Sequence, residues 1–301
     1  MEFLLDDDLD NLAPPVAEPA AADLSNGNVD DGVGDDPPPQ DPVPPDAAWF
    51  EAASPFGPVS LCVQNGGLVR HAAAAAVALQ QSGPLLDSLD DWTALELDWR
   101  WTAVPQAADA GSHVVVRWPA EETSPITAHL VLPWSLVRHL PAPTGILADG
   151  VHWEPAQATV VVARLALGSD EFAALEPGGA VVLPDSMRPD WRGVLRAAGE
   201  PSEAGAPLVL APPHAPQVVP RERAAGPFAS ESGTIDCEVR LDATPRIAVD
   251  RLAGWSPGDL GDLGARASLW RCDGAPRRCA RGILMPWGDG WALAIDGVQP
   301  G

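Results

Sequence analysis

The chain has 301 residues, 46% of them hydrophobic, with 34 Pro, 28 Gly and a formal net charge of −24. This is enough apolar material for a core, while the Pro and Gly density argues against long uninterrupted helices. The acidic excess repels phosphate backbones and anionic membrane surfaces, so nucleic-acid binding is not expected and partners with basic patches are.

The first 69 residues hold 14 acidic residues and no basic one, since the first Arg is Arg70. Residues 1–46 read as an acidic, Pro-rich tail with little to bury, expected to be disordered. MEFLLDDDLD lacks the basic start and long apolar run of a signal peptide, and no stretch reaches the roughly 20 apolar residues of a membrane span. Within the tail, Phe3, Leu4, Leu5, Leu9 and Leu12 could form an apolar stripe on a helix that folds on a partner. A solvated tail with scattered leucines accounts for them equally well.

From 47 to 150 the composition predicts an α+β domain. RHAAAAAVALQQ (70–81) is a helix that stops at Ser82-Gly83-Pro84. ALELDWRWTA (94–103) alternates without a fault, which predicts a half-buried strand with Leu95, Leu97, Trp99 and Trp101 on its apolar face. HVVVRW (113–118) and ITAHLVL (126–132) are further strands, and PWSLVRHL (133–140) opens a short helix on its Pro.

From 151 to 212 strands with short connectors are expected, led by QATVVVARLAL (157–167). A Pro-rich linker over 213–233 separates this region from a second β-rich one, 234–301. The two regions read alike. Leu175-Glu176-Pro177-Gly178 opens a run containing Val181; 80 residues later, Trp255-Ser256-Pro257-Gly258-Asp259 precedes a strand containing Leu269. Trp191-Arg192 and Trp270-Arg271 lie 79 apart, so one indel relates the two halves as a duplicated unit. Pro fixes φ at the first corner of a turn and Gly accepts a positive φ at the second. A β-rich unit of this size has little core of its own and sheet edges to cover, so pairing with its twin is the economical solution.

These residues resemble the SpoA-type domains of the FliM/FliN flagellar switch proteins, and most closely their relatives in type III secretion, the YscQ/HrcQ/SpaO family. The likeness rests on Leu175, Pro177 and Gly178 in the first copy, with Gly179 where the family has Asp. In the second it rests on Trp255, Pro257, Gly258, Asp259, Ala280-Arg281-Gly282 and the closing strand Trp291–Ile295. It covers roughly residues 155–298. The glycine-rich GDLGDLG departs from the apolar strand usual there, and GVQPG extends past the closing strand.

The resemblance implies two small SpoA-like domains that pair in an intertwined, barrel-like arrangement. It also implies a structural role in the cytoplasmic ring, or sorting platform, of a secretion machine at the inner membrane. Expected partners are other copies or a C-terminal SpoA fragment of the same protein, the ATPase stator, the platform's adaptor, cargo-chaperone complexes and, indirectly, the export ATPase. Direct membrane insertion is not implied. Met187 and Met285 are poorly placed to start a C-terminal fragment, so it would need a non-AUG start near Val218 or Val219.

Signals for chemistry are sparse. The six histidines, His71, His113, His129, His139, His152 and His214, form no HExxH pattern, although His113 and His129 could meet across a sheet. There is no GxSxG, P-loop or GxGxxG, so neither catalysis nor a cofactor is expected. Cys272 and Cys279 have no second pair at zinc-ligand spacing; with Cys62 and Cys237 they read as thiols. The alternative reading is a β-rich carbohydrate-binding module using exposed Trp.

Overall fold

A Ser side chain sets the first reversal of the chain. The Ser54 hydroxyl accepts from the Phe56 amide at 3.2 Å and donates to the Gly57 carbonyl at 2.6 Å. Gly57 takes φ +119°, a region that favours glycine. The turn joins β1 (Ala47–Ser54) to β2 (Gly57–Gln64), a hairpin that the sequence did not announce as strands. The computed structural model describes residues 47–64, 72–102, 113–119, 126–189, 191–198, 200, 204–210, 212–219 and 234–299. The tail residues Phe3, Leu4, Leu5 and Leu9, and His71, lie outside them.

The expected helix is α1 (Ala72–Gln81). Ser82-Gly83-Pro84 both ends it and starts α2 (Gly83–Thr93). The Ser82 amide donates to Ala78, while its carbonyl accepts from Leu85 and Leu86. Pro in a first helical turn forfeits no hydrogen bond. α2 stops at Ala94, in the left-handed region at φ +52°, and this overturns the strand expected over 94–103. Over the described residues 94–102 only β3 (Arg100–Thr102) forms, held by three residues of β1. Leu97 is buried, but Trp101 is 48% exposed rather than in the core.

The expected strands follow as β4 (His113–Trp118) and β5 (Thr127–Pro133), then α3 (Trp134–His139) after Pro133, α4 (Ile146–Asp149) and β6 (His152–Trp153). Together they give an antiparallel six-stranded sheet in the order β3-β1-β2-β5-β4-β6.

Residues 156–298 build the second sheet. Its earlier half contributes β7 (Ala156–Gly168), α5 (Ser169–Ala173), β8 (Ala180–Leu183), β9 (Arg192–Ala197), β10 (Ala206–Val209) and β11 (Gln217–Val218). Its later half contributes β12 (Thr234–Leu241), β13 (Arg246–Ile247), α6 (Val249–Leu252), β14 (Gly258–Asp259), β15 (Arg266–Arg271), β16 (Arg277–Trp287) and β17 (Gly290–Val298). β11 falls where the sequence placed the start of the Pro-rich linker; Val218 and Pro216 are buried there.

All pairings are antiparallel, in the order β14-β11-β10-β9-β7-β12-β15-β16-β17-β8, with β13 on the far end of β7. The order is a mirror about the β7–β12 pair. Outward from it, the earlier half lays down β7, β9, β10 and β11 and the later half β12, β15, β16 and β17, and each then ends on a strand taken from the other half, β14 and β8 respectively.

The protein is thus mainly β, with few short helices and two antiparallel sheets of six and eleven strands. Neither sheet closes into a barrel: among the described residues no pairing joins β8 to β14. The expected barrel-like closure is absent because both end strands are short, four and two residues. The sheets share one contiguous buried cluster, with Leu61, Leu130 and Leu132 from the first and Leu195, Leu241 and Leu269 from the second.

Candidate functional site

The Pro-Gly segment of the earlier half is a turn of the expected kind. Pro177 precedes Gly178 at φ +87°, and the Gly179 amide donates to the Glu176 carbonyl at 3.0 Å. That is the signature of a type II turn. The turn throws β8 away from its own half and onto β17, pairing Ala180 with Ala294 through to Leu183 with Trp291. Two further bonds of 2.9 Å, Gly178 amide to Ile295 carbonyl and Ile295 amide to Gly179 carbonyl, fasten the turn itself.

The later half reciprocates. Trp255-Ser256-Pro257-Gly258 follows α6, and β14 crosses to β11, pairing Val218 with Gly258 and Gln217 with Asp259. The two Pro-Gly pairs differ in detail. Gly258 lies at φ +155°, and a Cβ there would overlap the Arg251 guanidinium, which donates to the Asp259 carbonyl at 2.6 Å. The Trp-Arg pairs, in contrast, are not equivalent. Trp191-Arg192 stands at the start of β9, its buried indole donating to the Val162 carbonyl at 3.0 Å, whereas Trp270-Arg271 ends β15.

The other sequence-selected residues line this exchange. Val181 is 6% exposed and opposes Leu293 from the earlier half's strand; Leu269 is fully buried between Val239 and Ala280. Leu175 packs partly buried against the core. Gly282 sits at a register shift between β16 and β17, where a Cβ would overlap the Ala294 carbonyl oxygen. Gly282→Ala should therefore cost about 3 kcal/mol, as overpacking against backbone does. A urea midpoint lowered at constant slope checks it; an unchanged midpoint would show that the bulge simply relaxes.

The seam between the halves carries a buried charge network that sequence reading missed. Glu238 of β12, 2% exposed, accepts from Arg196 of β9 at 3.1 and 2.8 Å and from Arg240 at 2.9 Å, with Arg164 of β7 at 3.4 Å. Glu238 is opposed by Arg164 on one side and by Trp270 on the other, with the Arg240 guanidinium 4.6 Å over the Trp270 ring. Burial pushes the Glu238 carboxyl up, but the Arg196 fork and the charges of Arg240 and Arg164 more than reverse this, holding it below the usual carboxylate range. Arginines spaced along alternating strands were the available signal, but register decides whether they converge.

A second junction ties both halves to the first sheet. Arg138 of α3 grips Glu200 through two bonds of 2.6 Å and donates to the Leu252 carbonyl of α6 at 2.5 Å. Nearby, Trp92, Trp153 and Trp255 meet edge to face with centroids 5.6–6.0 Å apart. Each indole N–H reaches a backbone carbonyl, Pro141, Leu147 and Leu140 respectively. Trp255 therefore anchors its Pro-Gly segment to the first sheet, not only to its own half.

Groups with catalytic potential are scattered. His113 opposes Pro133 and His129 opposes Arg117, so these two histidines do not meet across β4 and β5. His139 packs tilted against Phe56, ring centroids 4.7 Å apart, and His214 meets Trp291 edge to face at 6.4 Å. The four cysteines are free thiols; burial, with Cys279 and Cys272 nearby, pushes Cys237 up to about 12. Among the described residues no group of three His, Cys, Asp or Glu side chains is placed to hold a metal ion. A cleft of about 380 Å³ lies beside β3, lined by Trp101, Glu51, Glu96, Asp98 and Arg100. No helix among the described residues is long and apolar enough to cross a membrane. No protein-family model matches the chain, and no curated protein matches it.

Proposed function

We propose that this chain is a structural scaffold of the cytoplasmic sorting platform of a bacterial type III secretion system, built on two SpoA-like units that complete one another. The reading is supported above all by the reciprocal exchange, in which each Pro-Gly segment delivers a strand to the far edge of the opposite half. Such an exchange buries edges that neither half could cover alone, as an assembly module requires. The resemblance in Leu175–Gly178 and Trp255–Asp259 supplies the family. Its implied partners are the ATPase stator, the adaptor, cargo-chaperone complexes and further SpoA copies. The cytoplasmic face of the inner membrane is its implied location.

The test is co-purification of the full chain with the stator and adaptor proteins of a type III secretion system from the same genome, read by light scattering. A stoichiometric complex is expected. A chain that stays monomeric and retains neither stator nor adaptor overturns the assignment.

One observation favours a second reading. Trp101 is exposed in an acid-lined cleft, the arrangement by which a binding module stacks a sugar ring and accepts its hydroxyl protons. That reading requires oligosaccharide-dependent quenching that Trp101→Ala abolishes.

A further inference from the structure

Five of the eight large apolar side chains most exposed among the described residues gather on one face of the second sheet. They are Ile283, Met285 and Trp287 of β16, Val182 of β8, and Met187 in the turn after β8. Register places them. Met285, Ala292 and Val182 form one row across three strands, and Ile283, Ala294 and Ala180 form the next. Trp287 opposes Gly290, and Met187 lies where a Gly290 Cβ would point. Ala292, at the centre, is fully buried although it belongs to this outer row, so the larger side chains close over it into one continuous patch. A continuous exposed apolar patch with a polar rim marks a contact surface.

The rim charges select what meets it. At one end Arg266 and Arg281 share a single aspartate, Asp296, at 3.7 and 3.4 Å. Arg266 opposes Ile283, which puts it on the same face. At the other end two aspartates accompany a single arginine. Asp289 stands at the tip of the β16–β17 hairpin, and Asp185, 3.4 Å from Arg188, shares the turn that carries Met187. The rim is thus neutral as a whole but polarised, with one positive charge in excess at one end and one negative charge in excess at the other. A partner of a single sign loses at one end what it gains at the other. We propose that the partner is a second copy of this chain, laid face to face and antiparallel about a two-fold axis. Each positive end then meets the negative end of its twin, twice over.

Net charge points the same way. Two chains of charge −24 repel over most of their surfaces, and a neutral face is where they can approach. The contact crosses four adjacent strands, β15, β16, β17 and β8, about 15 Å, and runs from Arg281 to Asp289, about 25 Å by the strand rise. That footprint, on the order of 400 Å², suits a weak, reversible dimer rather than a permanent one. Because β8 is part of it, the surface exists only once the halves have exchanged strands, so the exchange within one chain prepares the contact between two. The proposal stands on this face alone. A chain that stays monomeric yet holds a stator would overturn it and leave the secretion-system reading intact.

A charge-swap cycle, read by sedimentation velocity of the full chain at low salt, tests it. The wild type should pass from monomer to dimer as its concentration rises through roughly the tens of micromolar. Arg281→Asp makes both ends of the strip negative, and Asp289→Arg makes both positive. Each variant alone should therefore dimerise at least about tenfold more weakly, two repulsive ends replacing two attractive ones. Mixed together, the two variants should associate as well as the wild type does, and the double variant should dimerise on its own. Both positions are exposed, so urea midpoints should stay near that of the wild type. Met285→Asp should abolish association. A wild type that remains monomeric overturns the proposal, as does a dimer indifferent to both swaps. Single variants that weaken the dimer but fail to rescue one another overturn it too, since the two ends then do not face each other.

Discussion

Replacing Glu238 with Gln should lower unfolding stability by about 3–5 kcal/mol, the cost of removing one partner from a buried ion network. Three guanidiniums, Arg196, Arg164 and Arg240, converge on this carboxylate at the seam of the two halves. The substitution leaves them facing one another with their shared counter-charge gone. The effect should also depend on pH. The folded Glu238 carboxyl titrates below its ordinary value of 4.5, so the unfolded chain binds more protons between the two values. Its contribution is then complete above about pH 4.5 and disappears as pH falls through the lower, folded value. Urea midpoints taken from pH 7 down to 3 should show wild type and Glu238→Gln converging in acid. Curves that coincide across that range would mean that the network contributes no stability of its own, and curves that stay parallel but apart would mean that Glu238 does not titrate below its ordinary value when folded.

The network explains more than stability. Two of its arginines come from the earlier half, and Glu238 and Arg240 from the later, so the charges meet only when β7 and β12 pair in this register. A slip of one residue would turn the set to the other face of the sheet. Apolar residues of equal volume could match its energy, yet would fix the register less well.

Much of the second sheet was legible because two kinds of signal agreed. Pro177-Gly178 marked a chain reversal, and the β-branched run of 157–167 marked a central strand, seen as β7; Pro257-Gly258 instead leads into β14, and the turn before it falls at Ala253-Gly254. What the sequence could not reveal is which strand each segment would join. Ala180–Leu183 looks like any short apolar strand; its delivery to β17 depends on where α5 leaves the chain. The Trp-Arg match misled because a shared dipeptide says nothing about its place along a strand.

The failure over 94–103 has a different cause. Alternation predicts a strand only where a partner runs its length, and β1 offers only Trp49, Glu51 and Phe50. Leu95 and Leu97 instead cover the core from irregular backbone after α2, and Trp101 is left outside. The hairpin of β1 and β2 was missed for the opposite reason. Ala48, Phe50 and Ala52 do alternate inward, but small residues carry a faint hydrophobic signal. Of the candidate site, the turns and their buried flanks Val181 and Leu269 were readable. The Glu238 network and the Arg138–Glu200 junction were not, because their members lie 42 and 62 residues apart.

Leu269→Asp should be more damaging than any change at Glu238, and its consequences should cross the boundary between the halves. Leu269 is fully buried on β15, between β12 and β16. Arg271, two positions along the strand, is already paired with Asp273, so a carboxylate at this fully buried position must be buried as a charge or protonated, a cost of at least about 4–5 kcal/mol. In two independent domains the damage would stop at the later half, leaving residues 151–219 folded. Among the described residues β8 has β17 as its only neighbouring strand, and β11 pairs with β14 on its outer side, so loss of the later half strips two edges from the earlier one. The variant should therefore unfold in a single transition, and limited proteolysis should degrade both halves at matched rates. Val181→Asp, on the exchanged strand itself, should reproduce the coupled loss from the other side. A protease-resistant fragment spanning 151–219 in the Leu269→Asp protein would mean that the earlier half stands without its twin.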